Sequence, residues 1–494
     1  MGLFVTVAFV FVITSFIYLL VKNLHARERL KGMNCPRSYP LVGHALIMKP
    51  DAEGFINQVM GMAYMYPDTP RMVLLWLGTI PIVMLYSARL VEKILSSSRH
   101  LNKGFAYRLL EAWLGQGIIT SNMVKWRPTR KLLTPTFHYD ILKDYMPTFN
   151  EQSQILVKKL AQLPEGEPVE LLSVITLCGL DIICETSMGK SANAQLDKDN
   201  DYVRAVHKIN VLVQERTKNP LMWNDFIYNK FGNGEEEKKC LETLQSFTKK
   251  VIAERRKHLE DRNWQFEGRL AFLDLLLDMA HQGQIDDDEI QCQVDTVMFA
   301  GHDTTSTGSS WALYLLGCYP EIQRKVQEEI DEVFEDCGCI LPEHLPRLKY
   351  LECCLKESLR ICPSVPMINR ELGDDQELEG VVLPRGTQVV INQYMVHRDP
   401  ACWPDPEKFD PDRFLPENCV GRHPYAFIPF SAGSRNCMGQ RFGMMVEKVI
   451  VAWILHHFNV LSLQNRCEIK TKIEIVFRPT DGIKVFLEKR RPVA

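Results

Sequence analysis

The segment Phe430-Ser431-Ala432-Gly433-Ser434-Arg435-Asn436-Cys437-Met438-Gly439 carries one cysteine between two glycines, just before a helical apolar pattern. A helix N-terminus stabilises a thiolate, so Cys437 is a candidate metal ligand. Gly433 and Gly439 permit a tight loop and the close approach of a flat ligand, and Phe430 would shield the metal from water. A lone cysteine is usually inert and buried, but the pattern Phe-x-x-Gly-x-Arg-x-Cys-x-Gly rarely arises by chance.

Two shorter motifs precede this loop. In Glu357-Ser358-Leu359-Arg360 the acid and the base are three residues apart, so they share one helix face and can pair. Arg413, in Pro411-Asp412-Arg413-Phe414, could join them in a buried, fully hydrogen-bonded triad. A Glu-x-x-Arg pair alone is common on protein surfaces. Because it precedes the cysteine loop in this order, we interpret Glu357, Arg360 and Arg413 as structural rather than catalytic.

A long helix is predicted between Asp286 and Leu316 and contains Ala300-Gly301-His302-Asp303-Thr304-Thr305. An acid beside a hydroxyl can relay protons, which makes Asp303 and Thr304 candidate catalytic residues. A threonine in mid-helix can also bond back to a carbonyl and open a local bulge. The alternative is an ordinary polar helix face.

Together these motifs resemble the cytochrome P-450 family, and the resemblance extends over the whole chain. It implies haem b, an iron protoporphyrin, with Cys437 as the axial thiolate that favours O–O bond cleavage. The residues that it places around the haem are Trp126, Arg130, Ala300, Gly301, Arg370, Phe430, Gly433, Arg435, Cys437 and Gly439.

The haem propionates need cations at one rim. By resemblance, Trp126 and Arg130 match the family's Trp-x-x-x-Arg, and Arg370 and Arg435 supply further charge. Pro128 lies between the first two residues, and an interior proline is expected to kink that helix.

Three segments resemble the fourth P-450 family, namely Val294 to Phe299, Arg130 to His138 and Asp181 to Thr186. That resemblance implies hydroxylation of a fatty acid or related lipid at or near its terminal carbon, guided by a narrow apolar channel. Many members carry a glutamate that esterifies the haem, but here the position is Ala300. We therefore expect haem that is not covalently attached.

The resemblance also implies O₂ and a separate electron donor, since the chain contains no Gly-x-Gly-x-x-Gly nucleotide motif. An NADPH-dependent flavoprotein reductase is the expected donor, with cytochrome b5 as a second candidate. Arg422, Arg441 and Lys448 are candidate docking residues near the cysteine loop. The net charge of −3 argues against a nucleic-acid partner.

The segment Leu3 to Val21 contains 14 Leu, Ile, Val or Phe residues and no charge. These favour membrane insertion by about 4 to 8 kcal/mol. Basic residues follow at once, which predicts a single-pass anchor with a cytoplasmic body. The family resemblance implies that the membrane is that of the endoplasmic reticulum. A cleaved signal peptide is the alternative, but it would need a small-residue cleavage site. The odd number of 15 cysteines also favours a reducing compartment.

The predicted fold is mainly α with a smaller β part, a helical haem-binding core plus small β-sheets behind an N-terminal transmembrane helix. We expect an anchor at 1–21, a basic, proline-containing linker at 22–45 and a catalytic domain at 46–494. Strands are predicted at Met72 to Trp76, Ile80 to Leu85 and between Val381 and Val396, and a last helix at about Met438 to His457.

Alternative functions remain open. A haem-thiolate isomerase or dehydratase of lipid peroxides would need no dioxygen, but such enzymes tend to lack an acid–alcohol pair like Asp303 and Thr304. A monooxygenase acting on sterols or xenobiotics would share the same motifs. A membrane haem protein that binds lipid or senses gas would bind ligand without consuming oxygen.

Overall fold

The computed structural model describes residues 2–66, 71–197, 200–266 and 270–491. Its α-helices are α1 (Gly2–Arg29), α2 (Ala52–Met65), α3 (Ala88–Leu95), α4 (Glu111–Leu114), α5 (Met123–Leu133), α6 (Tyr139–Leu142), α7 (Met146–Ala161), α8 (Leu171–Met188), α9 (Asp201–Lys218), α10 (Asp225–Phe231), α11 (Gly234–Asp261), α12 (Phe272–His281), α13 (Asp287–Cys318), α14 (Pro320–Cys337), α15 (Lys349–Ile361), α16 (Gln393–Val396) and α17 (Gln440–His457).

The strands are short and fewer. They are β1 (Met72–Leu77), β2 (Ile80–Leu85), β3 (Asn102–Lys103), β4 (Val169–Glu170), β5 (Met367–Glu371), β6 (Gln376–Leu378), β7 (Val381–Leu383), β8 (Gln388–Asn392), β9 (Phe458–Ser462), β10 (Thr471–Ile473), β11 (Phe477–Pro479) and β12 (Lys484–Lys489). The prediction of a mainly helical chain with small sheets is confirmed.

The largest sheet has the order β1-β2-β8-β5-β3 and joins distant parts of the chain. Strand β2 pairs in parallel with β8, and the other neighbours are antiparallel. In the β3–β5 pair, Lys103 stands opposite Arg370, which brings two cations together. A second sheet, β4-β12-β9, ties the residues before α8 to the C-terminal part of the chain.

Helices α13 and α8 pack closely at the centre of the molecule. A Cβ on Gly301 of α13 would lie 2.4 Å from Ile183 Cδ1, and one on Gly179 of α8 would lie 2.4 Å from Ser306 Oγ. Helix α8 is mostly apolar, although it contains Asp181 and Glu185, and among the described residues it is the one helix long and apolar enough to cross a membrane. Because 78% of it is buried, it is a core helix.

Most predicted boundaries agree with the structure within two residues. Asp286 caps α13 by accepting a hydrogen bond from the Glu289 N–H at 2.8 Å, and α14 begins at Pro320. Residues 393–396 form a helical turn where a strand was predicted. Helix α1 continues to Arg29, so it crosses the predicted boundary between anchor and linker at residue 21. Met1 and residues 492–494, the ends of the predicted domains, lie outside the described residues.

Candidate active site

The cysteine loop is held against α3. Gly433 has a φ of 70°, and a Cβ there would lie 1.8 Å from the Leu95 carbonyl oxygen, so only glycine fits. The Cys437 N–H donates to the Phe430 carbonyl at 2.9 Å, and α17 begins directly after Gly439. A Cβ on Gly439 would make only ordinary contact with the Cys437 sulfur, at 3.9 Å.

Arg130 holds the loop from α5. Its Nη1 donates to the Asn436 carbonyl at 2.7 Å and its Nη2 to Asn436 Oδ1 at 2.8 Å. Arg130 therefore positions the residue before the cysteine, a partner that the sequence motif did not reveal. Helix α5 runs unbroken through Pro128, although a kink was expected there.

The Cys437 side chain has accessible surface but is closely surrounded by protein. Burial raises the pKa of its thiol, against the opposing effects of the Gly439 N–H, Arg130 and Lys103. The accessible surface must therefore face an interior space. The predicted stabilisation by the helix N-terminus therefore acts beside Arg130 and Lys103 and against a desolvation that is larger than these effects.

Three cations lie together at the rim of this space. Arg370 and Arg435 are buried, and Lys103, which sequence analysis missed, is partly buried beside them. Burial and the two arginines hold the pKa of Lys103 well below its usual value. Burial and then Arg370 lower the pKa of Arg435 to about 9.

Arg435 is only partly satisfied by protein groups. Its Nη2 donates to the Ser121 carbonyl and its guanidinium carbon lies 4.8 Å from the Trp126 ring, but Nε and Nη1 have no partner. Buried cations without counter-charges call for an anion. The two carboxylates of a haem would meet this need, so the residues present fit the cofactor.

Helix α13 carries the two predicted catalytic residues, Asp303 and Thr304. Thr304 is partly buried, and its Oγ1 donates back to the Ala300 carbonyl at 2.8 Å, as predicted. Residues 287–318 are nevertheless α-helical throughout, so no bulge opens at Thr304. The missing Cβ of Gly301 points at Ile183 rather than toward an open space, so this glycine serves the packing of α13 on α8.

Asp303 is fully buried, and its carboxylate contacts residues other than Thr304. It forms an ion pair with Arg478 of β11 and accepts a hydrogen bond from Asn210 Nδ2 at 3.2 Å. Burial alone would raise the pKa of Asp303, but the charge of Arg478 and neighbouring histidines lower it. Asp303 is therefore ionised at neutral pH. Arg478 lies 175 positions away and carried no sequence signal.

The structure brings Glu357, Arg360 and Arg413 together. Arg360 donates to both carboxylate oxygens of Glu357, at 2.7 and 2.8 Å, and both side chains are fully buried. Arg413 Nε lies 3.6 Å from Glu357 Oε1, too far for a hydrogen bond, and this nitrogen has no partner. The three form an ion triad, but not the fully hydrogen-bonded one that was expected.

An apolar cavity of about 230 Å³ lies between the large sheet, α2 and α9. Aliphatic and aromatic residues dominate its lining, with Phe55 and Leu75 on one side and Val213 on another. Val365 also lines it, and the neighbouring Ser364 donates to the Thr304 carbonyl at 3.0 Å. This hydrogen bond ties one side of the cavity lining to α13.

The candidate docking residues differ in their surroundings. Lys448 is buried and pairs with Glu352 at 2.7 Å, and Arg422 stacks 4.2 Å from the Trp403 ring and donates to backbone carbonyls. Arg441 is exposed. Lys448 is therefore removed as a docking residue, and Arg441 remains the accessible one of the three.

Comparison with known proteins decides the family. The family model for cytochrome P450 matches residues 33–486. The chain belongs to the cytochrome P450 family. Human cytochrome P450 4V2 is 46% identical over 92% of the chain and 89% of its own length. Cytochrome P450 4c3 of Drosophila melanogaster is 40% identical over 97% of the chain and 94% of its own, and cytochrome P450 4c21 of Blattella germanica is 37% identical over 95% of each.

As a cytochrome P450, the protein is an oxidoreductase of the monooxygenase type. The family implies a haem-thiolate group, and the residues present fit it: Cys437 would supply the sulfur ligand, and the cluster of Lys103, Arg370 and Arg435 would face the propionates. When bound, that group supplies activation of dioxygen for insertion of one oxygen atom into substrate. Arg130 and Gly433 hold the loop that carries Cys437.

Proposed function

We propose that this cytochrome P450 hydroxylates a fatty acid or related lipid at or near its terminal carbon. The observation that carries the proposal is the apolar cavity, because its mostly apolar lining would remove an alkyl chain from water. The names of the family-4 relatives give the same class of enzyme but no substrate.

Lys218 supports a substrate with a carboxylate. It is the last residue of α9, it lines the cavity, and its Nζ lies 4.9 Å from the Phe55 ring centroid. No carboxylate of the described chain lies within 4.0 Å of it, although Glu215, Asp51 and Glu474 act on it from farther away. We assign Lys218 to the carboxylate of a fatty acid whose chain enters the cavity.

Proton delivery would depend first on Thr304. Its hydroxyl bonds only to the Ala300 carbonyl, so it can turn toward a new acceptor at the loss of one hydrogen bond. Asp303 is fixed by Arg478, and its carboxylate could join a relay only after that ion pair opens. We therefore assign proton relay to Thr304, and we assign Asp303 the structural role of stabilising this part of α13.

We further propose that the haem is not covalently attached, because Ala300 offers no carboxylate for an ester. Acid extraction in an organic solvent should release all the haem from the denatured chain. Haem that comigrates with the polypeptide would contradict the assignment.

The proposal of membrane attachment rests on α1 and on exposed apolar residues of the body. Phe4, Phe9 and Phe16 are 80%, 65% and 54% exposed, and Leu46 and Phe226 of the body are also exposed. We propose an anchor at 1–21 that continues as helix to Arg29 within the linker at 22–45, and a cytoplasmic catalytic domain at 46–494 on the endoplasmic reticulum. An NADPH-dependent flavoprotein reductase, or cytochrome b5 for one electron, would dock by way of Arg441.

Reconstitution with the reductase, NADPH and a panel of fatty acids tests the function. Terminal or near-terminal alcohols are expected. Conversion of lipid hydroperoxides without NADPH would instead favour the isomerase or dehydratase, and turnover of sterols alone would reject the fatty acid. A Cys437→Ser variant should lose the red-shifted ferrous carbon monoxide band, and retention of that band would reject the haem ligand itself.

The variant Lys218→Gln tests the carboxylate assignment. We expect the KM for a fatty acid to rise about tenfold, the loss of one charge-assisted bond, with an unchanged KM for the methyl ester. Lys208→Gln is the matched control, because Lys208 lies on the same helix and pairs with Glu236 at 3.1 Å outside the cavity. Equal effects of the two variants, or equal effects on acid and ester, would reject the assignment.

A further inference from the structure

The sequence Cys337-Gly338-Cys339 places two thiols side by side at the C-terminal end of α14. Their sulfur atoms lie 3.5 Å apart, and Cys337 Sγ also points at the Cys339 carbonyl at 3.4 Å. Cys337 is exposed, whereas Cys339 is partly buried. The disulfide bond length is about 2.05 Å, so a small rotation of the side chains would close the remaining distance.

The backbone on both sides of this pair is fixed. Gly338 adopts a φ of 70° and donates to the Phe334 carbonyl at 2.8 Å, which ends α14 with a left-handed cap. Ile340 is held through both its N–H and its carbonyl by the Asn150 side chain, at 2.9 and 2.8 Å. Trp453 of α17 in turn donates to Asn150 at 2.9 Å. The two thiols are therefore held side by side before any reaction.

We propose that Cys337 and Cys339 form a reversible redox site that is oxidised to a disulfide by hydroperoxides. In the first step the Cys337 sulfur attacks the peroxide O–O bond, which gives a sulfenic acid and releases water or an alcohol. In the second step the Cys339 sulfur displaces the sulfenic hydroxyl, which leaves as water with the remaining thiol proton. The two thiols lose two electrons and two protons, and one peroxide is reduced.

The surroundings assign the order of the two cysteines. Cys337 meets solvent and is the one that a peroxide reaches first. Burial, followed by the neighbouring Cys337, raises the pKa of Cys339 to about 11, so it remains a thiol until the sulfenic acid forms beside it. A low-molecular-weight thiol would restore the pair by exchange, since the disulfide lies at the surface. The site lies outside the machinery described above.

The experiment uses full-length protein in detergent, treated with one equivalent of hydrogen peroxide, alkylated and digested with trypsin. The peptide Val326 to Arg347 contains Cys337 and Cys339 and no other cysteine. We expect it to become lighter by two hydrogen atoms and to take up no alkyl group. Cys419 and Cys467 are also exposed, but no second thiol lies within hydrogen-bond distance of either among the described residues, so they should be oxidised less and should remain available for alkylation. Glutathione should reverse the change.

The variant Cys339→Ser provides the second measurement. With peroxide it should accumulate a sulfenic acid at Cys337 that a dimedone probe traps, whereas Cys337→Ser should not label at Cys339. Full alkylation of both cysteines after peroxide, or oxidation of Cys419 and Cys467 at the same rate, would overturn the proposal. Both variants should retain the carbon monoxide band of the wild type.

Discussion

Replacing Arg478 by methionine would leave the Asp303 carboxylate buried without its cation. In the folded protein Asp303 is 0% and Arg478 2% exposed, and Asn210 is the remaining hydrogen-bond donor to this carboxylate. Breaking a buried ion pair from one side costs about 3 to 5 kcal/mol. The unfolding entropy of a chain of this length is about 1 kcal/mol per kelvin, so Tm should fall by about 3 to 5 °C.

The pH dependence gives a sharper test. Arg478 keeps the pKa of Asp303 below its usual value, so the pair stabilises the fold above the unfolded-state pKa and loses this effect as the pH falls through the folded-state value. Arg478→Met removes the largest charge effect that lowers this pKa, so burial, opposed by the smaller effects of His302 and His207, shifts the pKa of Asp303 upward. The difference in Tm between wild type and variant should therefore be largest at neutral pH and shrink toward about pH 4.

A double-mutant cycle compares the wild type, Arg478→Met, Asp303→Asn and the double variant. The thermal unfolding of each protein is followed by circular dichroism. The double variant should recover much of the lost stability, since neither charge is left unpaired. Arg324→Met is the matched control, because Arg324 pairs with Glu328 on the exposed face of α14 and should cost less than about 1 kcal/mol. Equal shifts for Arg478→Met and the control, or strict additivity in the cycle, would refute the buried pair.

Three further outcomes follow from contacts in the core. Gly433→Ala should retain little haem after purification, measured by pyridine haemochrome, because the new Cβ would overlap the Leu95 carbonyl; normal occupancy would contradict the loop geometry. Glu447 is buried, and burial raises its pKa to about 8. The stability of the wild type should therefore fall as the pH rises from about 4.5 to 8, whereas Glu447→Gln should not show this fall. Parallel profiles of Tm against pH for the two proteins would reject this role of Glu447. Gly301→Ala should lower Tm, and Ile183→Ala should restore part of the loss; no rescue would argue against the close contact.

Local patterns predicted the local structure well. Short apolar runs predicted β1 and β2, and the predicted start of the long helix at Asp286 agrees with the residue that caps α13. Each of these signals lies within a few residues of the feature it predicts. The continuation of α1 to Arg29 was missed. The linker prolines Pro36 and Pro40 show that the helix must end before them, but they do not show at which residue it ends.

The partners within the site could not be predicted in the same way. Arg478 meets Asp303 and Lys103 meets Arg370 only because the sheets and α13 fold against one another. Asn436 lay inside the cysteine motif, but nothing in that motif pointed to Arg130 as its partner. Residue types and spacing fix which chemistry is present, whereas ion pairs across the fold depend on a register that appears only in three dimensions.

The order of strands in the large sheet has a consequence for how the chain is made. Strand β2 ends at Leu85, but its parallel neighbour β8 is complete only at Asn392. At about 5 to 20 residues per second, the ribosome needs roughly 15 to 60 s to supply the missing strand. During that interval the edge of the β1–β2 hairpin is unpaired, so newly made chains should depend on chaperones that shield this edge until synthesis is almost finished.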